Sequence, residues 1–209
     1  MTYKLILIFT ILLIIVSLVT LTAAIIHKTN EKTEVYSELL GSYVTLKPVI
    51  YERETINNFI ETNPHYENFY DIYTENTNVS KTIIDYAIDH DIPIHIAFSL
   101  AWNESRYKIT AIGPKNSNGT RDWGLFQLND GYRESWTEED FFNIDKNVST
   151  GIEYLAYCIK ETGNIEEGIG AYNKGVTGIK KYGLPEEYIS NILVYEKKLD
   201  EELNEYLYN

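Results

Sequence analysis

The sequence predicts a mainly α domain carrying one loop or hairpin insertion, preceded by a transmembrane helix. Three observations lead there. An uncharged run of Leu, Ile, Val, Thr and Ala extends from Leu5 to Ile26. Apolar residues recur at helical spacing over most of the chain beyond residue 80. Between Gly113 and Gly131 that periodicity stops and Gly, Asn, Ser and Thr dominate, the composition of turns and short strands.

The run 5–26 is long enough to cross ~30 Å of hydrocarbon at ~1.5 Å per helical residue. A cleavable signal peptide has a shorter apolar region, roughly 7–15 residues, before a small-x-small site. Thr22-Ala23-Ala24 offers such a site, but two isoleucines follow it. Length therefore favours an uncleaved signal-anchor at residues 1–26 over a removed peptide. Every acidic residue lies beyond it, and both readings deliver the remaining chain outside the cytoplasmic membrane. Residues 27–76 are polar with aromatic spots and read as a stem or small helical subdomain, with Ile56, Phe59 and Ile60 on one helical face.

In the body, Ser80 is expected to cap a helix holding Ile83, Ile84, Ala87 and Ile88, ending at His90-Asp91. Pro93 opens the next helix, running to about Tyr107. Further helical patterns fall at about 147–161, 165–173 and 185–206.

Composition narrows the function. The 209 residues hold 31 Asp+Glu against 18 Lys+Arg, a net charge of −13, so the positive field that nucleic-acid binding needs is missing. A lone cysteine, Cys158, cannot form an internal disulfide or a multi-cysteine zinc site. Histidines at 27, 65, 90 and 95 lack metal-ligand spacing, and no cofactor is expected. Four Asn-x-Ser/Thr sequons, at Asn78, Asn103, Asn118 and Asn147, are put down to chance in an Asn-rich chain.

One residue breaks the pattern. On the helix from Pro93, Ile94, Ile96, Ala97, Phe98, Leu100, Ala101 and Tyr107 form a continuous arc. His95, Ser99, Asn103 and Arg106 fill the opposite side. Glu104 projects into the apolar arc, where an ionised carboxylate is costly and a raised pKa is expected. A protonated carboxylic acid on a rigid helix end suits general acid catalysis. An ion pair with Arg106 or Lys108 is the structural alternative.

Three segments stand in order: Ala97-Phe98-Ser99-Leu100-Ala101-Trp102-Asn103-Glu104-Ser105-Arg106-Tyr107, Gly124-Leu125-Phe126-Gln127-Leu128-Asn129 and Ala171-Tyr172-Asn173-Lys174-Gly175. Together they resemble the catalytic domain of the soluble-lytic-transglycosylase (SLT) family of the lysozyme superfamily, here residues 77–209, with an α+β lysozyme-like fold. The resemblance implies cleavage of the β-1,4 bond between N-acetylmuramic acid and N-acetylglucosamine in peptidoglycan, closing a 1,6-anhydro sugar. It implies Glu104 as the acid/base, with Ser105, Gln127, Tyr172 and Asn173 as its neighbours or sugar contacts. The run Asp122-Trp123-Gly124-Leu125-Phe126-Gln127-Leu128-Asn129 also resembles the second catalytic loop of animal-type lysozymes and of the specialised transglycosylases of secretion and conjugation systems. Asp122 is then either a second carboxylate for a muramidase or a turn residue, and Trp123 either stacks on sugar or anchors the loop. A membrane-anchored, non-catalytic peptidoglycan-binding protein is the reading from another class. The expected partners are glycan strands, the membrane through residues 5–26, and cell-wall or secretion machinery, at the cell envelope.

Overall fold

A computed structural model of the chain describes residues 65–208, which run through eight helices and one two-stranded hairpin. The apolar segment 5–26 and the face of Ile56, Phe59 and Ile60 lie outside the described residues. Among the described residues no helix is long and apolar enough to cross a membrane.

Helix α1 (His65–Thr74) places Tyr66, Phe69, Tyr70 and Tyr73 at helical spacing on one side. Glu75, in the left-handed region at φ 52°, turns the chain into α2 (Thr77–Asp89). The cap of α2 is Asn76, whose side chain accepts from the Val79 N–H, and not Ser80 as expected. Ser80 already lies inside the first turn. It is buried there, with its hydroxyl 2.6 Å from that of Thr74, so a side-chain pair between α1 and α2 claims it.

Helix α3 (Ile94–Ser105) follows Pro93, and its buried residues are Ile94, Ile96, Ala97, Phe98, Ser99, Leu100, Ala101 and Ser105. This corrects the two-faced helix expected from the pattern. Ser99 is fully buried, and His95 is nearly covered, its ring 5.9 Å from that of Tyr70. Helices packed on both flanks cover the side that a helical wheel assigns to solvent. Tyr70 of α1, with no exposure, stacks on Phe98 at 4.0 Å and 23° between ring planes. The helix stops one turn before Lys108 because Arg106 and Tyr107 both take left-handed backbone, φ 56° and 58°. The Arg106 N–H donates back to the Trp102 carbonyl and closes the end.

The turn-rich region forms strands β1 (Asp122–Trp123) and β2 (Leu128–Asn129), antiparallel with Asp122 opposite Asn129 and Trp123 opposite Leu128. A bridge joins Ile112 to Trp123. A 3-10 turn (Asp130–Tyr132) and α4 (Glu138–Phe142) follow. The periodicity missed α4, which spans barely more than one turn and depends on a capping box between Thr137 and Asp140. Helices α5 (Ile144–Thr162) and α6 (Ile165–Lys174) are capped by Asn143 and Asn164. They approach closely at Gly168, where a Cβ would stand 2.4 Å from Ile159 Cγ1. The short α7 (Val176–Tyr182) went unread, hidden among the glycines at 175, 178 and 183. Helix α8 (Glu186–Tyr208) closes the fold against α1, α3 and α6.

Tyr70 holds α1 on the central helix by burial and ring stacking. Tyr70→Ala should therefore lower unfolding stability by about 3–5 kcal/mol, read from urea unfolding. A loss under 1 kcal/mol would show that α1 is peripheral.

Candidate active site

Glu104 occupies the last turn of α3. Its side chain keeps partial exposure, yet protein crowds the carboxyl, and this burial is the largest cause of a pKa pushed up to about 7. Asp122 adds to the rise through its negative charge. A hydrogen bond from Tyr188 and the charge of Arg106 work in the other direction. The Tyr188 hydroxyl donates to Glu104 Oε1. Arg106 makes no ion pair with the carboxylate. Its guanidinium lies 4.7 Å from the Trp102 ring centre and donates to the Trp102 and Asn103 carbonyls. The structural alternative for Glu104, a local ion pair, is therefore absent among the described residues.

Asp122 faces this acid from the hairpin, near enough for its charge to act on it. Asn129 Nδ2 donates to Asp122 Oδ1 at 2.8 Å and Asn116 Nδ2 to Oδ2 at 3.1 Å. Both oxygens are thus gripped by side-chain amides of the same loop system. Thr120 joins the network by accepting from both amides.

The other expected site residues sort into two groups. Tyr172, on α6, donates its hydroxyl to the Phe126 carbonyl at 2.8 Å and lies close enough to feel the Glu104 charge. Asn173, beside it, is exposed. Ser105 is buried and its hydroxyl returns to the Ala101 carbonyl at 3.1 Å, a bond within its own helix. Gln127 has left-handed backbone at φ 46°, and its amide donates to the carbonyls of Gly124 (2.9 Å) and Ala111 (3.4 Å). Trp123 donates its indole N–H to Asp130 at 3.1 Å and stacks on Phe141 at 5.7 Å. Ser105, Gln127 and Trp123 thus spend their polar groups on the scaffold, whereas Asp122 and Tyr172 lie within charge range of Glu104.

Two residues that matter here escaped sequence reading. Asn147, read only as a chance sequon, is buried at the start of α5. Its Oδ1 accepts from Phe126 N–H at 2.8 Å, while Nδ2 donates to the carbonyls of Trp123 and Phe141, each at 3.0 Å. Gly124 makes room for it: a Cβ there would stand 2.3 Å from Asn147 Nδ2, on backbone with φ 76°. The other is Tyr188, in the first turn of α8. It reaches Glu104 because Gly170 lets the start of α8 pack closely, a Cβ there standing 3.1 Å from Ile189 and Pro185. An Asn just inside a helix whose own cap is already supplied is a weak local signal; for Tyr188 there is none in the sequence.

Among the described residues no group of His, Cys, Asp and Glu could hold a metal ion. A carboxyl of raised pKa at the end of a central helix, within charge range of a hairpin aspartate and bonded by a tyrosine, defines a lysozyme-like helical domain. The family model described as "Transglycosylase SLT domain" matches residues 81–188, and the chain belongs to that family. X polypeptide of Escherichia coli is 33% identical over 97 residues, 44% of this chain and 54% of that protein. A lysozyme of Galleria mellonella is 54% identical over 33 residues, 16% of this chain and 27% of that protein. Lysozyme 1 of Musca domestica is 48% identical over 33 residues, covering 16% and 23%. The chain spans about half the length of the E. coli relative, and about a quarter of each lysozyme.

Truncating Asn147 would leave one buried N–H and two carbonyls without partners. Asn147→Ala should cost about 2–4 kcal/mol of unfolding stability and loosen the 123–127 loop, seen as faster amide exchange at Phe126. Unchanged exchange there would show that the loop holds itself.

Proposed function

We propose that this protein is a peptidoglycan lytic transglycosylase that cleaves the β-1,4 bond between N-acetylmuramic acid and N-acetylglucosamine. The observation that carries this reading is Glu104, a partly exposed carboxyl at the end of a buried helix whose burial pushes its pKa up to about 7. Protonation of the glycosidic oxygen by Glu104 lets the C1–O bond break, with positive charge developing at the muramyl C1. The resulting carboxylate takes the proton of the muramyl 6-hydroxyl as its oxygen closes on C1. The product is a 1,6-anhydro sugar, and no water is consumed. Because Tyr188 occupies Oε1, Oε2 is the oxygen that carries the proton, and the Tyr188 hydroxyl steadies the charge once it has left. Tyr172 and Asn173 offer a ring face and an amide to the sugar. On this reading the domain works outside the cytoplasmic membrane, held there by the apolar segment 5–26.

A muramidase is the second reading, favoured by the proximity of Asp122. A retaining hydrolase needs a second carboxylate to stabilise or attack C1. The two amide donors that grip Asp122 suit a fixed negative charge better than an attacking nucleophile.

Glu104→Gln removes the proton and should abolish clearing of purified cell walls while leaving wall binding intact. Full activity in this variant would overturn the assignment. The mass of the wild-type products separates the two enzymes, since hydrolysis adds a water that anhydro-muropeptides lack.

The pH profile follows from the same group. Glu104 is active as an acid, so the rate should fall about tenfold per pH unit above about 7. Asp122→Asn removes a neighbouring negative charge and lowers the proton affinity of Glu104. The falling limb should then move to lower pH with substantial activity kept. Complete loss of activity in Asp122→Asn would favour the hydrolase.

A further inference from the structure

Lys81, Lys146, Lys197 and Lys198 each pair with a carboxylate close in sequence. Lys174, at the end of α6, and Lys180 and Lys181, in the last turn of α7, are exposed and have no such partner among the described residues. Two of them converge. The Lys174 ammonium donates to the Gly183 carbonyl at 3.2 Å, just past the end of α7. Its stem passes Gly178, where a Cβ would stand 3.2 Å from Lys174 Cβ. The Lys181 ammonium lies 4.9 Å from the ring centre of Tyr182. Tyr182 is 70% exposed and Leu184 41% exposed, so apolar surface and positive charge share one helix end.

The carbonyls that end α7 favour nearby cations, which explains a lysine at this place but not the ring and the leucine left in water beside it. Glu186 and Glu187, the acids nearest in sequence, open α8, where a helix N-terminus favours them. An anionic bilayer answers both features, with phosphates for the ammonium groups and an acyl boundary for Tyr182 and Leu184. A dissolved polyanion answers only the charge. The net charge of −13 opposes any anionic surface, but screening confines that repulsion to ~8 Å at physiological ionic strength. A local basic edge then decides which side of the domain approaches. We propose that Lys174, Lys180 and Lys181, with Tyr182 and Leu184, form a membrane-facing patch that docks α7 on anionic lipid headgroups. Leu184 rests on α6 at Gly170, and Tyr188 four residues on bonds Glu104, so this docking orients the active site with respect to the bilayer. It depends neither on the transglycosylase reading nor on segment 5–26 being an anchor.

The test mixes the full chain with vesicles of phosphatidylcholine, or of equal parts phosphatidylcholine and phosphatidylglycerol. Lysines are labelled with an amine-modifying reagent and located by mass spectrometry. With the anionic vesicles, labelling of Lys174, Lys180 and Lys181 should fall about tenfold relative to the neutral ones, within the roughly hundredfold affinity that three lysine contacts supply. Lys108 and Lys115, also exposed, should keep their rates, and added salt should restore labelling of the patch. A variant carrying both Tyr182→Ser and Leu184→Ser should lose most of the protection. Equal labelling with the two vesicles, or a drop at Lys108 and Lys115 as large as at the patch, overturns the proposal. Protection by soluble polyphosphate equal to that by anionic vesicles does so too, as does protection that survives in the double variant, since both mean a site for charge alone. Anchoring by segment 5–26 is read separately, from sedimentation with the neutral vesicles, and its failure leaves the labelling comparison standing.

Discussion

The enclosure of α3 governs the rest of the molecule. Eight of its twelve residues are buried, including Ser99 on the side its sequence would turn to water. A helix wrapped in this way offers a side chain only two environments, full burial along its length or a partly open position at its end. Glu104 stands at that end. Burial of the carboxyl pushes its pKa up to about 7, while the side chain keeps partial exposure. One turn earlier, the same carboxyl would be inaccessible. At Arg106, which takes left-handed backbone and is exposed, it would have an ordinary proton affinity.

The opposing wall is held by polar groups because it is built from loop backbone. Residues 123–127 have too few ladder bonds to satisfy their own amides. Asn147 supplies three hydrogen bonds from α5, Gln127 turns inward to two carbonyls, and Tyr172 reaches across from α6 to a third. Two helices and the loop itself thereby hold residues 123–127 in place. Asp122 is oriented by Asn116 and Asn129 within this assembly, so its charge acts on Glu104 from a fixed direction. Opposing contributions meet at one carboxyl. Burial and Asp122 favour the proton, while Tyr188 and Arg106 favour its loss. A group balanced in this way can serve as acid and then as base within one reaction cycle.

Local signals carried much of the architecture. The helices at 94–105, 144–162, 165–174 and 186–208 announce themselves by apolar spacing, and the hairpin region by its Gly and Asn content. The cap of α2 was misplaced because a hydroxyl at Ser80 and an amide at Asn76 are both competent caps. Only the contact between Ser80 and Thr74 decides between them. Helices α4 and α7 are too short for periodicity to register and exist by virtue of capping and packing.

The sequence by itself determined that one carboxylate, Glu104, sits among apolar residues on a helix that ends in Ser105-Arg106-Tyr107, and it carried the three ordered segments that mark the family. The helical period and residue chemistry are local properties, and they can be read along the chain. Tertiary structure alone decided which residues meet that carboxylate. Tyr188 lies 84 positions away and arrives through the close packing of α8 at Gly170. It also decided that Ser105, Gln127 and Trp123 spend their polar groups on the scaffold. Hydrogen bonds and charges act over a few ångströms in space, and neither periodicity nor composition encodes which distant segments come within that range.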